Sequence, residues 1–128
     1  MMKFNDFVLS RGTEVDSYIG WLLVSLAYFK SAHLETKSYA RHKAYDFYYT
    51  EVQGPLDQFS EQYLGFSGKE YKASLPSASE LPKDPIDFLD ELIKASDKIY
   101  KNLPKAIQST LDDITGVFYQ TKYLLTLE

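Results

Sequence analysis

The sequence has no cysteine among its 128 residues, and this absence restricts the chemistry available to the protein. Disulfides, thiolate metal ligands and the common cysteine-based zinc sites are all excluded. The longest nearly apolar run covers only residues 19–29 and includes Ser25, so it is too short to cross a bilayer. Because the first residues also lack the charged and apolar regions of a signal peptide, we expect a cytoplasmic protein with no membrane association.

Clustered positive charge is also absent. The 14 lysines and arginines are outnumbered by 18 acidic residues, which gives a net charge of −4. Binding to DNA regardless of sequence requires a group of basic side chains that neutralises phosphates, so DNA binding and a nucleoid role are disfavoured. There is also no glycine-rich phosphate-binding loop and no internal repeat.

Aromatic residues, in contrast, are abundant, with eleven tyrosines and eight phenylalanines. Tyrosine has an apolar ring and a polar tip, so this richness suits subunit interfaces as well as cores. The length fits one domain, residues 1–128, that can bury a core of its own.

The first predicted helix has an apolar face that runs its whole length. It begins after Thr13, an N-cap residue. Its core-facing stripe, spaced alternately by four and three residues, is Val15, Ile19, Leu22, Leu26, Phe29 and His33. His33 ends this stripe, so it should point inward. Other faces of the helix are apolar too, which suggests burial against a partner subunit.

The second predicted helix is longer and contains a proline. Apolar periodicity covers residues 38–64, and Gly65 and Gly68 should end the helix. Pro55 removes one hydrogen bond inside this segment, so we expect a kink there.

Two further helices complete the predicted fold. Asp84 and Pro85 have the residue types of an N-cap and a first helical position, and a fourth helix follows Pro104. No strand-type alternation competes with these four periods. The sequence therefore predicts an all-α four-helix bundle in which residues 69–83 form one long crossover between helices 2 and 3, a topology typical of ferritin-like folds.

Four residues of metal-ligand type lie on one stripe of helix 2: His42, Asp46, Asp57 and Glu61. At about 100° per residue they fall within roughly 100° of arc. His42 and Glu61 are nevertheless about 28 Å apart along a helix, whereas a metal ion binds ligands at about 2.0–2.5 Å. One helix therefore cannot close one site.

Two copies of the helix could close two sites. The four residues are placed symmetrically about positions 51–52. If two copies lie antiparallel across a two-fold axis, His42 faces the Glu61 position of the partner and Asp46 faces the Asp57 position. An isologous dimer of this kind would hold two identical His/Asp/Asp/Glu clusters.

Imidazole and carboxylate ligands without thiolates suit iron, manganese or zinc, and carboxylate-rich helical bundles are typical of iron and manganese chemistry. The ordinary ferritin motif, Glu-x-x-His, is absent, because neither His33 nor His42 has a glutamate three residues before it. A ferritin-like site here could not be of the kind built inside one bundle.

The chain resembles the Dps-type miniferritins, which place iron between subunits. The resemblance lies in His33 at the end of helix 1, in the segment HLETKSYARHKAYDF and in LDQFSEQYLGFSG, with ligand spacings of four, eleven and four. It implies that His33, His42 and Asp46 of one subunit join Asp57 and Glu61 of another. The chain also resembles short ferritin-like proteins of tailed phages, which implies a bacterial cytoplasm or an infected host cell.

The activity implied by this resemblance is ferroxidase activity. Fe(II) would be oxidised by H2O2 or O2 at a site for one iron or for two (a di-iron site), which manganese or zinc could also occupy. Iron would be stored as a mineral, and the homo-oligomer would range from a two-fold dimer to a dodecameric cage.

Other interpretations of the same residues remain open. A histidine on an apolar stripe is often a hydrogen-bonded core residue, and each pair at i,i+4 spacing is by itself an ordinary solvated helix face. A non-enzymatic ferritin-like protein, for example a phage-associated assembly or interaction protein, would have the same helices without the oxidation.

Overall fold

The computed structural model describes residues 2–11 and 14–128, and over these ranges the chain is all-helical. The α-helices there are α1 (Phe4–Arg11), α2 (Glu14–Glu35), α3 (Tyr39–Ser67), α4 (Pro85–Tyr100) and α5 (Lys105–Leu124), with a short 3-10 turn at Ala78–Glu80. The predicted all-α class is confirmed. The predicted N-cap Thr13 lies outside the described residues. Among the described helices, none combines the length and apolar character needed to cross a membrane.

The first helix, α1, was not predicted, and it packs directly on the core. Phe4 and Phe7 are buried, and their rings meet the edge of the Trp21 ring at centroid distances of 5.5 and 5.8 Å. The Glu91 carboxylate accepts a hydrogen bond of 3.1 Å from the main-chain N–H of Phe4. Eight residues are too few to form a stable helix alone, so α1 depends on contacts that local periodicity does not reveal.

α3 begins as predicted but ends later. The Ser38 side chain caps its first turn by accepting a hydrogen bond from Arg41 N–H. The helix continues without interruption through Pro55 and past Gly65. The prediction that Gly65 ends it is therefore wrong. Gly68, with φ at 66°, ends the helix by donating to the Leu64 carbonyl at 3.0 Å. The left-handed conformation of Gly68 stops this helix, and Gly65 does not have that conformation.

The last two helices agree with their sequence signals. Asp84 caps α4 by accepting a 3.0 Å hydrogen bond from Ile86 N–H, and Pro85 is the first helical residue. α5 begins directly after Pro104. One face of α5 and its C-cap is buried in the core: Ile107, Leu111, Ile114, Phe118, Thr121 and Leu125.

The four longer helices pack in a ring. α2 contacts α3 and α4, and α5 contacts the same two helices. The core between them is rich in aromatic rings, and two hydrogen-bonded hydroxyl pairs lie within it, Tyr18–Ser96 and Ser25–Tyr48, both 2.6 Å apart. Pairing matters because an unsatisfied buried hydroxyl costs about 1–3 kcal/mol.

Residues 68–84, which we call the connection, join α3 to α4 and lie against α2. The hydroxyl oxygens of Ser17 and Ser74 are 3.1 Å apart in the interior. Beside them, a Cβ placed on Gly20 would lie only 2.0 Å from the carbonyl oxygen of Ser74. The connection therefore approaches α2 so closely that only glycine fits at position 20.

Candidate metal centre

His33 and His42, which we call the histidine pair, meet where α2 turns into α3. Only three residues, 36–38, separate the two helices. The imidazole rings stack with their centroids 3.6 Å apart and their planes 25° from parallel. Each Nδ1 lies 2.9 Å from the main-chain carbonyl oxygen of the other histidine. The two residues are thus held by a reciprocal pair of hydrogen bonds.

These hydrogen bonds fix the tautomer of both rings. A carbonyl oxygen only accepts, so each Nδ1 must carry the hydrogen. In the neutral ring the free lone pair is then on Nε2. Histidines that bind metals usually donate their other ring N–H to a carbonyl or carboxylate in this way, which orients the ring and fixes the coordinating nitrogen. The histidine pair is also only half-buried, so water and ions can reach it.

The stacked geometry limits how the pair can bind. A metal ion lies close to the imidazole plane at about 2.0–2.1 Å from the nitrogen. The two imidazole planes are tilted by only 25° and their centroids are 3.6 Å apart, so the planes intersect much farther from the nitrogens than a metal–nitrogen bond reaches. One ion therefore cannot take both Nε2 atoms while the rings remain stacked.

Asp46 lies one turn beyond His42 on α3 and is half-buried. Aromatic rings flank this stretch, since the Tyr39 ring lies nearly parallel to that of His42 with a centroid distance of 6.5 Å, and Lys30 Nζ lies 5.2 Å above the Tyr49 ring. The Lys30–Tyr49 contact shows that the outer side of α2 adjoins the stripe of α3 that carries the predicted ligands.

Asp57 and Glu61 are exposed neighbours further along α3. Hydrogen bonding to Asp57, followed by the like charge of the Asp57 carboxylate, raises the pKa of Glu61. Two carboxylates this close attract protons or cations, which relieve the repulsion. This pair is chemically suited to a hard cation.

The structure brings His33 next to His42, and Asp57 next to Glu61, but it does not bring the five predicted ligands together. The histidine pair lies where α2 turns into α3, with Asp46 one turn beyond His42, whereas Asp57 and Glu61 lie three to five turns further along α3. In the described part of the chain, no group of three or more histidine and acidic residues is arranged to hold a metal ion. A site with all five ligands therefore requires a second chain, and this remains a prediction.

The reciprocal histidine pair was not foreseen from the sequence. His33 was expected to point inward as the end of an apolar stripe, and it is instead half-buried against His42. The signal was present in the spacing, because one histidine ends a helix and the other lies in the first turn of the next.

A family model and a phage protein are both similar to the part of the chain that contains the candidate ligands. The model of a family of unknown function, DUF5856, matches residues 33–125 and so includes all five candidate ligands. An uncharacterized 14.6 kDa protein in the mobD-ri intergenic region of Enterobacteria phage T4 is 57% identical over 128 residues, covering 99% of this chain and 100% of that protein. No solved structure matches the chain.

Proposed function

The chain belongs to the DUF5856 family of unknown function, and we propose that it is a Dps-like miniferritin that binds and oxidises Fe(II) between subunits. The observation that carries this proposal is the histidine pair. Both rings are held by hydrogen bonds that leave Nε2 as the coordinating atom, as in many metal sites. A histidine with only a structural role in a core has no need of that half-exposed position.

The fold proposed here is a ferritin-like four-helix bundle with α1 as an addition. Two observations support it. α2 and α5 each contact α3 and α4. The 17-residue connection joins α3 to α4, and these two helices make no extensive contact with each other in the described structure. One long crossover between the second and third bundle helices is typical of ferritin-like folds.

The proposed assembly is an isologous pair of α3 helices related by a two-fold axis. The histidine pair and Asp46 of one subunit would then face Asp57 and Glu61 of another. Next to this face, α2 exposes Leu23 and Leu34, with 39% and 72% of their surfaces accessible. Burial of these side chains would stabilise the dimer, and further contacts could extend it to a cage of up to twelve subunits.

Within such a site, each group of ligands has a separate role. The Asp57 and Glu61 carboxylates would bind one Fe(II), and Asp46 with one imidazole would bind the other. Because the stacked rings cannot share an ion, the second imidazole could bind only after the pair separates. Two Fe(II) ions then lose one electron each, and H2O2 takes up both electrons and two protons to form two molecules of water. With O2 as oxidant, one such pair of electrons and two protons give H2O2, and a second pair with two more protons is required to give water.

The test is Fe(II) oxidation, together with the iron retained after gel filtration. We expect wild type to oxidise Fe(II) and to keep one or two irons per chain, or a larger mineral load. Asp57→Ala should abolish both with the fold intact, whereas Glu51→Ala, which removes an exposed acid from another side of α3, should change neither. Activity of Asp57→Ala equal to that of wild type would show that the site is assigned wrongly.

Mixed oligomers test whether the site lies between subunits. Asp57→Ala and His42→Ala damage opposite halves, so a mixed two-fold pair keeps one intact site. We expect subunit exchange between the two inactive variants to restore part of the oxidation. Exchanged mixtures that stay inactive would contradict the geometry between subunits.

A non-enzymatic assembly or interaction protein is the second candidate, and the stacked rings are the observation in its favour. As they stand, they form a closed structural unit at the turn between helices. Because the chain is similar to a protein of phage T4, we expect it to act inside an infected bacterial cell under either candidate function. A folded oligomer that neither oxidises Fe(II) nor retains metal would support this second function.

A further inference from the structure

A separate cavity of about 550 Å³ lies between α2 and the end of the connection. None of the five candidate metal ligands lines it. Its wall along α2 runs from Val24 to Thr36, and the opposite wall includes Leu81, Lys83 and Pro85. Residues 24–35 span roughly 16 Å of helix, so the cavity is elongated along α2.

The walls of this cavity are fixed by hydrogen bonds. The Tyr28 hydroxyl donates to the Lys83 carbonyl at 3.0 Å, which ties the connection to α2. The connection is itself stiffened where Ser77 N–H donates to the Glu80 carboxylate at 2.9 Å, and the Glu80 carbonyl accepts from Met2 N–H at 3.0 Å. The space is therefore a preformed feature of the fold.

The lining has the character of a small-molecule site. Small side chains leave the space open: Ala27, Ser31, Ala32 and Ala78. Apolar and aromatic groups form most of the remaining surface, chiefly Val24, Tyr28, Tyr45 and Leu81. Ligand sites are typically concave, largely apolar, of about 300–1,000 Å³, and have a few polar groups that orient the ligand.

Acidic groups predominate around the cavity. Glu35, the last residue of α2, lies at the negative end of the helix dipole, and its carboxylate is in no ion pair within the described residues. Lys83 also lines the cavity, and the carboxylates of Asp84 and Asp87 lie near enough to raise the pKa of Tyr28. Arg41 donates to the Tyr45 hydroxyl at 3.2 Å. Of these charged groups three are acidic and two are basic, and Glu35 is the acidic side chain in the lining.

We propose that this cavity binds an elongated small molecule with an apolar, for instance aromatic, body and a protonated amine that pairs with Glu35. An ammonium group offers three donors, and the end of α2 offers the Glu35 carboxylate as an acceptor. The inference is independent of iron chemistry and holds for either candidate function.

Three matched probes test the charge preference: 4-phenylbutylamine, 4-phenylbutanol and 4-phenylbutyrate, titrated into the ¹⁵N-labelled full-length protein. We expect saturable shifts confined to amides of residues 24–36 and 78–85, with the amine binding most tightly. Glu35→Gln should weaken the binding of the amine by about twofold to fivefold, the range for an exposed ion pair, and should leave the affinity for the alcohol unchanged. Tighter binding of the butyrate, or an unchanged amine affinity in Glu35→Gln, would overturn the proposal.

Filling the cavity tests its location. Ala32→Leu places a larger side chain on the wall and should abolish binding of all three probes, whereas Ala106→Leu, at an exposed position on α5, should not. Ser31→Leu provides a second filling variant at an exposed position if Ala32→Leu fails to fold. Full binding by a folded filled variant would show that the probes bind elsewhere.

Discussion

The side of the molecule where the connection covers α2 differs sharply from the face of α3 that carries His42, Asp46, Asp57 and Glu61. On the first side, hydroxyl groups are paired in the interior, and there is no room even for a methyl group at Gly20. On the second, Asp57 and Glu61 are exposed and interact with each other despite their like charge. We call these the closed side and the ligand face.

The difference bears on stability and on the proposed function. On the closed side, Gly20, Ser17 and Ser74 make close contacts within one chain, and these contacts explain why the connection packs against α2. On the ligand face, Asp57 and Glu61 keep like charges close together, and such charges cost free energy until a cation or a partner compensates them. Substitutions on the two sides should therefore have different consequences.

The largest expected effect is that of Gly20→Ala on the closed side. The new Cβ would collide with a main-chain carbonyl, which cannot rotate away as a side chain could. We expect a loss of about 1–3 kcal/mol in the free energy of unfolding, measured by urea denaturation, despite the better helix propensity of alanine.

Gly116→Ala is the matched control for that substitution. It makes the same change within a helix at an exposed position where nothing lies within 4 Å of the added carbon. The free energy of unfolding of this variant should exceed that of wild type by about 0.5–1 kcal/mol. If both variants were equally stable, the connection would not be held against α2 as the structure shows.

The helices of the closed side could largely be predicted, but their closest contact could not. Apolar spacing and the Asp84-Pro85 cap are local signals, and they gave α4 and α5 with the correct starts. The need for glycine at position 20 depends on Ser74, which lies far along the chain, so no local pattern reveals it. α1 was missed for the same reason, because its burial depends on Trp21 and Glu91.

The next largest effect concerns the histidine pair. His42→Ala removes the Nδ1 donor and the stacked ring, so we expect a loss of about 1–2 kcal/mol in stability. His42→Asn is the discriminating variant, because its amide nitrogen can occupy nearly the position of Nδ1 but nothing replaces Nε2. It should recover part of the stability while it loses metal binding, as measured by urea denaturation and by iron retention.

A histidine pair with only a structural role gives a different result. His42→Asn would then restore stability, and iron retention would be the same in wild type, His42→Asn and His42→Ala. Retention that fails only when Nε2 is absent would instead assign His42 as a ligand.

The candidate site was also only partly predictable. Spacing along one helix is fixed by helix geometry, so the placement of Asp57 and Glu61 as neighbours on one stripe of α3 followed from the sequence. The stacking of His33 on His42 depends on how tightly the chain turns between two helices, which the apolar periodicity does not determine. The relation of two chains lies outside what one chain's sequence pattern can establish.

The smallest effect expected is a change in the pH dependence of the ligand face. Because the pKa of Glu61 is raised in the folded chain, its contribution to stability is fully present below the ordinary value of 4.5 and declines as pH rises through the raised pKa. Asp57→Asn removes the like charge, so an NMR titration of the Glu61 carboxyl should show the pKa returning toward its ordinary value. Glu51→Gln, on another side of α3, should leave the titration unchanged, and equal shifts in both variants would mean that general charge rather than this pair is responsible.

A divalent cation added to wild type should also lower the Glu61 pKa if the ligand face attracts metal ions.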